Sequence, residues 1–290
     1  MEKSPVLSNL FILTTVLVFT SHAWGATESK DEDKPFVPHW SWQAGINYGG
    51  QPSQGGAGQL NKELTFSGTD NLTQAGHFCS FGLIAGQQKV EGATSTYGAL
   101  SVDGGLGLGF FMPSLSIATQ HGASELHNTT ATLTLGFQVL DPLTVSLILG
   151  GGTQSHQGPA SAVDPTFPNP NLIVESDSYT WNSGIMMTFA ALDTLSFSLT
   201  AQQETTTTFQ VKALTQIRPY NQSDRIPSLT LGSDITLFKN CSLNLSIQAG
   251  QEFLLAGTTY SPVLGQTITL TSPTTQNFGG YSIGATYSFE

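Results

Sequence analysis

Charge is scarce in this chain: Asp, Glu, Lys and Arg make up 10% of its 290 residues, against about 25% in ordinary soluble domains. Basic residues are scarcer still. Nine Lys and Arg stand against 20 Asp and Glu, giving a net charge of −11, and the nine form no patch. Nucleic acid is thereby excluded as a partner, because its binding rests on phosphate neutralisation by clustered basic side chains. Cysteine is limited to Cys79 and Cys241. They are too isolated for a zinc site, and no His, Asp and Glu set has metal-ligand spacing. After residue 25 no apolar run approaches the length of about eighteen residues that a membrane-crossing helix needs.

What the chain has instead is alternation. Between Ala131 and Gly150 the sequence ATLTLGFQVLDPLTVSLILG carries two alternating arms that flank Asp141-Pro142. Successive side chains of a strand point to opposite faces, so each arm has one apolar face and one face of hydroxyls, an amide or glycine. A soluble sheet shows the same period but usually carries charge on its wet face. Here both faces are almost uncharged, and the pattern recurs through the rest of the chain. Neutral alternation in segments of about ten residues, joined by tight turns, is the signature of a transmembrane β-barrel, with lipid on one face and water on the other.

Twelve such segments can be placed, at 40–48, 63–68, 77–86, 96–111, 115–121, 130–139, 143–151, 178–191, 195–203, 228–238, 242–253 and 280–289. Links at 112–114, 140–142, 192–194 and 239–241 are short, whereas those at 122–129, 152–177, 204–227 and 254–279 are long and polar. This predicts an all-β fold, a single closed antiparallel up-and-down barrel with short periplasmic turns and long extracellular loops. An even strand count puts both chain ends on the periplasmic side. Aromatics sort the same way. Phe110, Phe137, Phe189, Phe197 and Phe289 fall near the short turns, and Tyr48, Tyr97, Tyr179, Trp181, Phe253 and Tyr281 near the long loops. Two belts are expected where rings sit at both membrane interfaces. On this map Cys79 and Cys241 lie four strands apart, beyond the ~7 Å that a disulfide spans between Cα atoms, so both are expected to be free.

Residues 1–25 read as an export signal. Lys3 supplies a positive start, 10–19 form a short apolar core, and Ala23-Trp24-Gly25 offers small residues for cleavage before Ala26. Residues 26–38 (ATESKDEDKPFVP) are charged and proline-bearing, which fits a solvated periplasmic lead-in. Folding back into the lumen as a small plug is the alternative. The barrel then occupies 39–290.

Over residues 39–290 these features resemble Gram-negative outer-membrane β-barrel proteins as a class. The final segment, YSIGATYSF at 281–289, is similar to their C-terminal assembly signal of alternating aromatics, although Glu290 follows the aromatic on which that signal ends. The resemblance implies an outer-membrane location, lipid and lipopolysaccharide as neighbours, and no cofactor; an oligomer is compatible with it. No motif of a particular family is present.

The complement of the apolar face gives the inner wall: Thr132, Thr134, Gln138, Thr144, Ser146, Ser196, Ser198, Thr200, Gln202, Asn244, Ser246 and Gln248. Asp103 and Asp234 join them, and Glu63 is a third candidate acid. Gly105, Gly107 and Gly109 form a row on the inner face of the fourth segment, where either another group approaches the wall or the wall bends. Such a lumen is wet and hydrogen-bonding and, with no inward Lys or Arg, mildly attractive to cations. The leading expectation is a passive channel for small neutral or weakly cationic solutes. A non-conducting surface protein, whose loops 152–177 and 204–227 bind an envelope or host component, is the alternative. A hydrolase would rely on His121, Ser124 and His127, but no hydrolase motif accompanies them. A secreted β-sandwich is the structural rival, and its apolar faces would pack on a second sheet.

Overall fold

The computed structural model describes residues 39–51, 59–72, 76–90, 93–122, 125–159, 173–213, 216–255, 258–261, 266–269 and 274–289. The expected signal and lead-in lie outside the described residues, as do Ser124 and Glu290. The regular structure among the described residues is all strand: β1 (His39–Gln51), β2 (Gln59–Asn71), β3 (Phe78–Val90), β4 (Ala93–Gly105), β5 (Phe111–Gly122), β6 (Glu125–Leu140), β7 (Leu143–Pro159), β8 (Ile173–Leu192), β9 (Leu195–Ala213), β10 (Gln216–Phe238), β11 (Cys241–Leu254), β12 (Thr258–Ser261), β13 (Gln266–Thr269) and β14 (Thr274–Phe289).

From β1 to β11 each strand pairs antiparallel with the next, and β14 pairs with both β11 and β1. Twelve strands therefore close the ring, while β12 and β13 form a small hairpin against Tyr220 and Asn221 of β10. Closure leaves no sheet edge, the condition for backbone surrounded by lipid. Cross-strand partners can be followed once round the wall from Trp42 through Phe81, Ile117, Trp181 and Phe253 to Thr275. By the β14–β1 register the path returns about 14 residues further along β1. For twelve strands that stagger corresponds to a tilt of about 40° and a Cα radius of about 11 Å.

Hydrophobicity is inverted relative to a soluble domain. Leu64, Leu133, Leu147, Leu231 and Ile283 point outward and are exposed, and Ile46 is 63% exposed. On the inner wall Ser116, Thr132, Thr134, Ser146 and Ser196 are buried. Among the described residues the buried apolar core consists of Val174, Val211 and Ile226 alone. Among the described residues no second sheet covers the outward leucines, and the strands close on themselves instead of packing as a sandwich. Lipid is the solvent that removes the cost of exposing them, roughly 25 cal/mol per Å² in water. Both cysteines are free, on β3 and β11, four strands apart round the ring.

Two strand limits are corrected. The fourth segment does not run from 96 to 111: β4 ends at Gly105, the chain turns through 106–110, and β5 begins at Phe111. Leu106 N–H donates to Pro113 O and Leu108 N–H to Phe111 O, both at 2.9 Å, and Gly109 takes φ 71°. Glycine adopts that left-handed conformation without strain. Leu106, Leu108 and Phe110 stay exposed at the rim, which carries period two through a turn and disguises it. Gly107 and Gly109 therefore leave the strand, and the expected turn at 112–114 lies within β5.

The long polar loops at 152–177 and 204–227 are corrected as well. Strand β7 runs on to Pro159, β8 begins at Ile173, β9 reaches Ala213 and β10 begins at Gln216. The threonines at 205–208 favour strand, but beyond the bilayer neither face needs to be apolar, so the strand outlasts the alternation that revealed it. A bulge beside Asp177 and Ser178 leaves Phe209 of β9 unpaired, and its ring stacks on Tyr179 at 4.4 Å. Val174, Val211 and Ile226 are buried on the inner side of this extension.

Candidate functional site

Residues directly opposite on paired strands share a face, so the pairings define the lumen wall. One inner row runs Ser80, Asp103, Ser116, Thr132, Gly150, Asn182, Glu204. A second runs Ser196, Asp234, Asn244, Gly284, Asn47, Glu63, Gly86, Tyr97. Because the strands are tilted, each row climbs as it circles. Each links an acid near the periplasmic end to one nearer the extracellular end.

Asp103 accepts hydrogen bonds from Ser80 Oγ at 3.4 Å and Ser101 Oγ at 3.5 Å. Asp234 accepts from Asn244 Nδ2 and from Ser196 Oγ at 3.5 Å, and Asn244 Oδ1 accepts from Thr286 Oγ1 at 3.4 Å. The two acids stand on β4 and β10, six strands apart in a ring of twelve and thus on opposite walls. Higher up, Glu63 accepts from Asn47 Nδ2 at 3.5 Å and from the Tyr97 hydroxyl. These partners are neutral. They orient the carboxylates without cancelling their charge.

An upper tier comprises Glu204 on β9, Asp224 on β10 and Glu252 on β11. Glu204 is opposite Ile226, Asp224 opposite Thr206, and Glu252 opposite Gln276. The outward residues at this level are Gln203, Thr205, Arg225 and Gln251, where leucines and isoleucine stand lower on the same strands. The tier therefore lies beyond the apolar band. Asp224 is 6% and Glu252 5% exposed, and Asp224 Oδ1 and Glu252 Oε1 are enclosed without a hydrogen-bond partner. Burial pushes the carboxyls of Glu204 up to about 7, Asp224 to about 6 and Glu252 to about 7, the last aided by the negative charge of Asp224. On the inner side of β7, burial lowers the imidazole of His156.

The residues singled out from sequence distribute unevenly. Thr132, Thr134 and Ser196 are buried in the inner wall, and Ser198, Gln202, Asn244 and Gln248 share that face half-exposed. Gln138 stands at the periplasmic rim, its Nε2 donating to Asp141 O at 3.5 Å. Gly105 is on the inner face opposite Phe78. His121 points outward, opposite Gly98, away from the lumen.

Sequence reasoning missed the upper tier, because it placed Glu204 and Asp224 in a loop and so left Glu252, inside the segment 242–253, without its neighbours. It also missed Tyr97, assigning the ring to the outer belt. The signal was present: Tyr97 is three residues from Leu100, an odd spacing that puts the two on opposite faces. Among the described side chains, six carboxylates and no Lys or Arg face the lumen. Lys62, Lys89 and Arg225 are on the outer face, Lys212 is on the outward side of the extension, and Lys239 is in a turn. No group of three or more described His, Cys, Asp or Glu is arranged to hold a metal ion.

No protein-family model matches the chain, and no curated protein matches it. Among solved structures, the chain is similar to the KdgM porin, at 13% identity over 86% of this chain and 99% of that one, with a TM-score of 0.44. The NanC porin gives 10% identity over 84% and 98%, with a TM-score of 0.47. OmpT of Vibrio cholerae, an outer-membrane protein, gives 10% identity over 88% and 99%, with a TM-score of 0.36. The barrel assignment rests on the strand pairing of this chain itself.

Proposed function

We propose that the chain is an outer-membrane channel of Gram-negative type, exported through the signal at 1–25, that passes small solutes by diffusion and prefers neutral and cationic ones. One observation carries this reading: every charged side chain described on the inner wall, His156 aside, is a carboxylate. A carboxylate about 6 Å from a passing monovalent ion contributes roughly 0.7 kcal/mol in a medium as polar as water. Several acting together enrich cations over anions without excluding neutral molecules. The neutral hydroxyls and amides between them replace hydration for polar solutes.

Purified, folded protein in planar bilayers tests it. In a KCl gradient the reversal potential should have the sign of K⁺ preference; anion preference refutes the reading. One observation favours the alternative of a non-conducting surface protein, namely the burial of Val174, Val211 and Ile226 on the inner side of the extension. A folded barrel that never conducts would establish that alternative.

A further inference from the structure

Three aromatic side chains among the described residues face the lumen, and each stands opposite a glycine. Tyr97 is opposite Gly86, Phe78 opposite Gly105, and Phe278 opposite Gly250. A Cβ on Gly86 would meet Cε1 and Oη of Tyr97 at 2.7 Å; on Gly105, Cζ of Phe78 at 2.8 Å; on Gly250, Cε1 of Phe278 at 2.7 Å. Real side chains do not approach so closely. In each case the missing Cβ lets the ring lie across the wall rather than stand into the channel.

Each ring also has a carboxylate beside it on the same face. Asp103 precedes Gly105 by two residues, and Glu252 follows Gly250 by two; strand residues two apart share a face. Glu63 is directly opposite Gly86, and the Tyr97 hydroxyl donates to its carboxylate across that glycine. Phe78 and Asp103 lie at the periplasmic end, Phe278 and Glu252 at the extracellular end. All three pairs fall on the run of strands from β11 through β14 and β1 to β4. They mark one side of the wall from end to end.

We propose that the two pairs whose acids are open to the lumen, Tyr97 with Glu63 foremost and Phe78 with Asp103, bind solutes bearing an ammonium group and distinguish them from inorganic cations of equal charge. The inference rests on the channel reading above and names its solute class. An aromatic face attracts a cation through its quadrupole, and quaternary ammonium groups use this most fully because their methyls can contact the ring. A compact hydrated Na⁺ gains from the carboxylate alone. An alkylammonium gains from both groups, by a further factor of about two to five at an exposed site. Tyr97 and Glu63 are half-exposed and thus reachable from the lumen. Gly86 is the positioning residue that holds the ring beside the acid.

The full chain in planar bilayers, with choline chloride and NaCl as probes, tests this. Wild type is expected to pass choline, relative to Na⁺, better than their free diffusion predicts. Tyr97→Leu should lower that ratio about twofold or more and leave the Na⁺ over Cl⁻ preference unchanged. Tyr97→Phe, which keeps the ring, should retain the higher ratio. Gly86→Ala should lower both the ratio and the unit conductance by lifting the ring off the wall. An unaltered choline ratio in Tyr97→Leu and Gly86→Ala, with Na⁺ preference intact, overturns the aromatic site and leaves the channel standing. Wild type that prefers Cl⁻ or never conducts overturns the channel reading and this inference with it.

Discussion

The lumen wall and the extracellular extension hold carboxylates in opposite surroundings. Glu63, Asp103 and Asp234 each accept two hydrogen bonds from neutral side chains and remain half-exposed. Asp224 and Glu252 are more than nine-tenths buried. Asp103 Oδ1, like one oxygen of each of them, has no donor, so exposure to water is what separates the two groups. A carboxylate withdrawn from water favours its protonated form. The same chemical group therefore faces the water of the lumen in one region and makes packing depend on pH in the other. Solvation separates the two roles, not residue type.

The comparison breaks most forcefully at Val211, which is 0% exposed on the inner side of the extension. Val211→Asp would place an unpaired charge there at a cost of several kcal/mol. The strands above the apolar band should open to protease, while the lipid-solvated barrel below keeps its resistance to SDS. A variant whose extension stays protected would show that the two regions are not separate packing units.

The next effect is that of pH. The raised carboxyls of Glu204, Asp224 and Glu252 mean that the packed mouth holds protons which an opened mouth releases. Its stability should therefore fall as pH rises from about 4 toward 7 and then level off. For Asp224 alone, the rise from 3.8 to about 6 corresponds to about 3 kcal/mol at most. His156 opposes this, because its lowered imidazole makes protonation below pH 6.5 unfavourable in the folded mouth. Three carboxyls outweigh one imidazole. Hydrogen exchange at the Val211 and Thr206 amides, corrected for intrinsic rates, should be about tenfold faster at pH 8 than at pH 5. Glu204→Gln, Asp224→Asn and Glu252→Gln together should flatten that difference, and a slope that survives all three would remove the tier as its source.

How far the sequence foretold these regions follows from the same contrast in solvation. Within the bilayer, lipid demands an apolar face on every strand, so Leu133, Leu147 and Leu231 announce the wall, and Asp103 and Asp234 fall on its inner side by parity. Beyond the bilayer that demand ends. The threonines at 205–208 and the acids at 204 and 224 belong to strand stretches with no hydrophobic period, and they read as loop, whereas Glu252 falls inside the segment 242–253. The turn at 106–110 failed for the reverse reason, since Leu106, Leu108 and Phe110 keep the period where the strand has stopped. The glycines beneath Tyr97, Phe78 and Phe278 were invisible because their meaning lies across strands, in a register that one sequence does not display.

A smaller effect sharpens the lumen side. Asp103→Asn with Asp234→Asn removes two carboxylates from opposite walls, each worth less than about 1 kcal/mol to a passing ion. The K⁺ over Cl⁻ preference should drop a fewfold at about 0.1 M salt. At about 1 M, where the Debye length shrinks to roughly 3 Å, wild type and variant should converge. An undiminished preference in the variant would mean that the wall charges do not set selectivity.

The smallest effect belongs to the outward side of the extension, where Lys212 Nζ lies 2.6 Å from Asp177 Oδ2 and 3.2 Å from Glu175 Oε1. Burial by itself raises the Asp177 carboxyl, but hydrogen bonds from Lys212, Gln210 and Ser155 together hold it below its ordinary value, and the bond to Asp177 raises Lys212. The signs fix the window. The Asp177 contribution is present above its ordinary value of 3.8 and is lost as pH falls through its lower folded value. The Lys212 contribution persists until pH climbs through a folded value above 10.5. Between about pH 5 and 9 this pair is therefore flat, although Lys212 shares β9 with Glu204. With the lysine side chain 34% exposed, Lys212→Met should destabilise the extension by less than about 1 kcal/mol, and less again in high salt. Its hydrogen exchange should keep the wild-type rise from pH 5 to pH 8. If that rise vanished with the lysine, the outward pair rather than the inward tier would be the titrating element, and the distinction between the two carboxylate environments would fail.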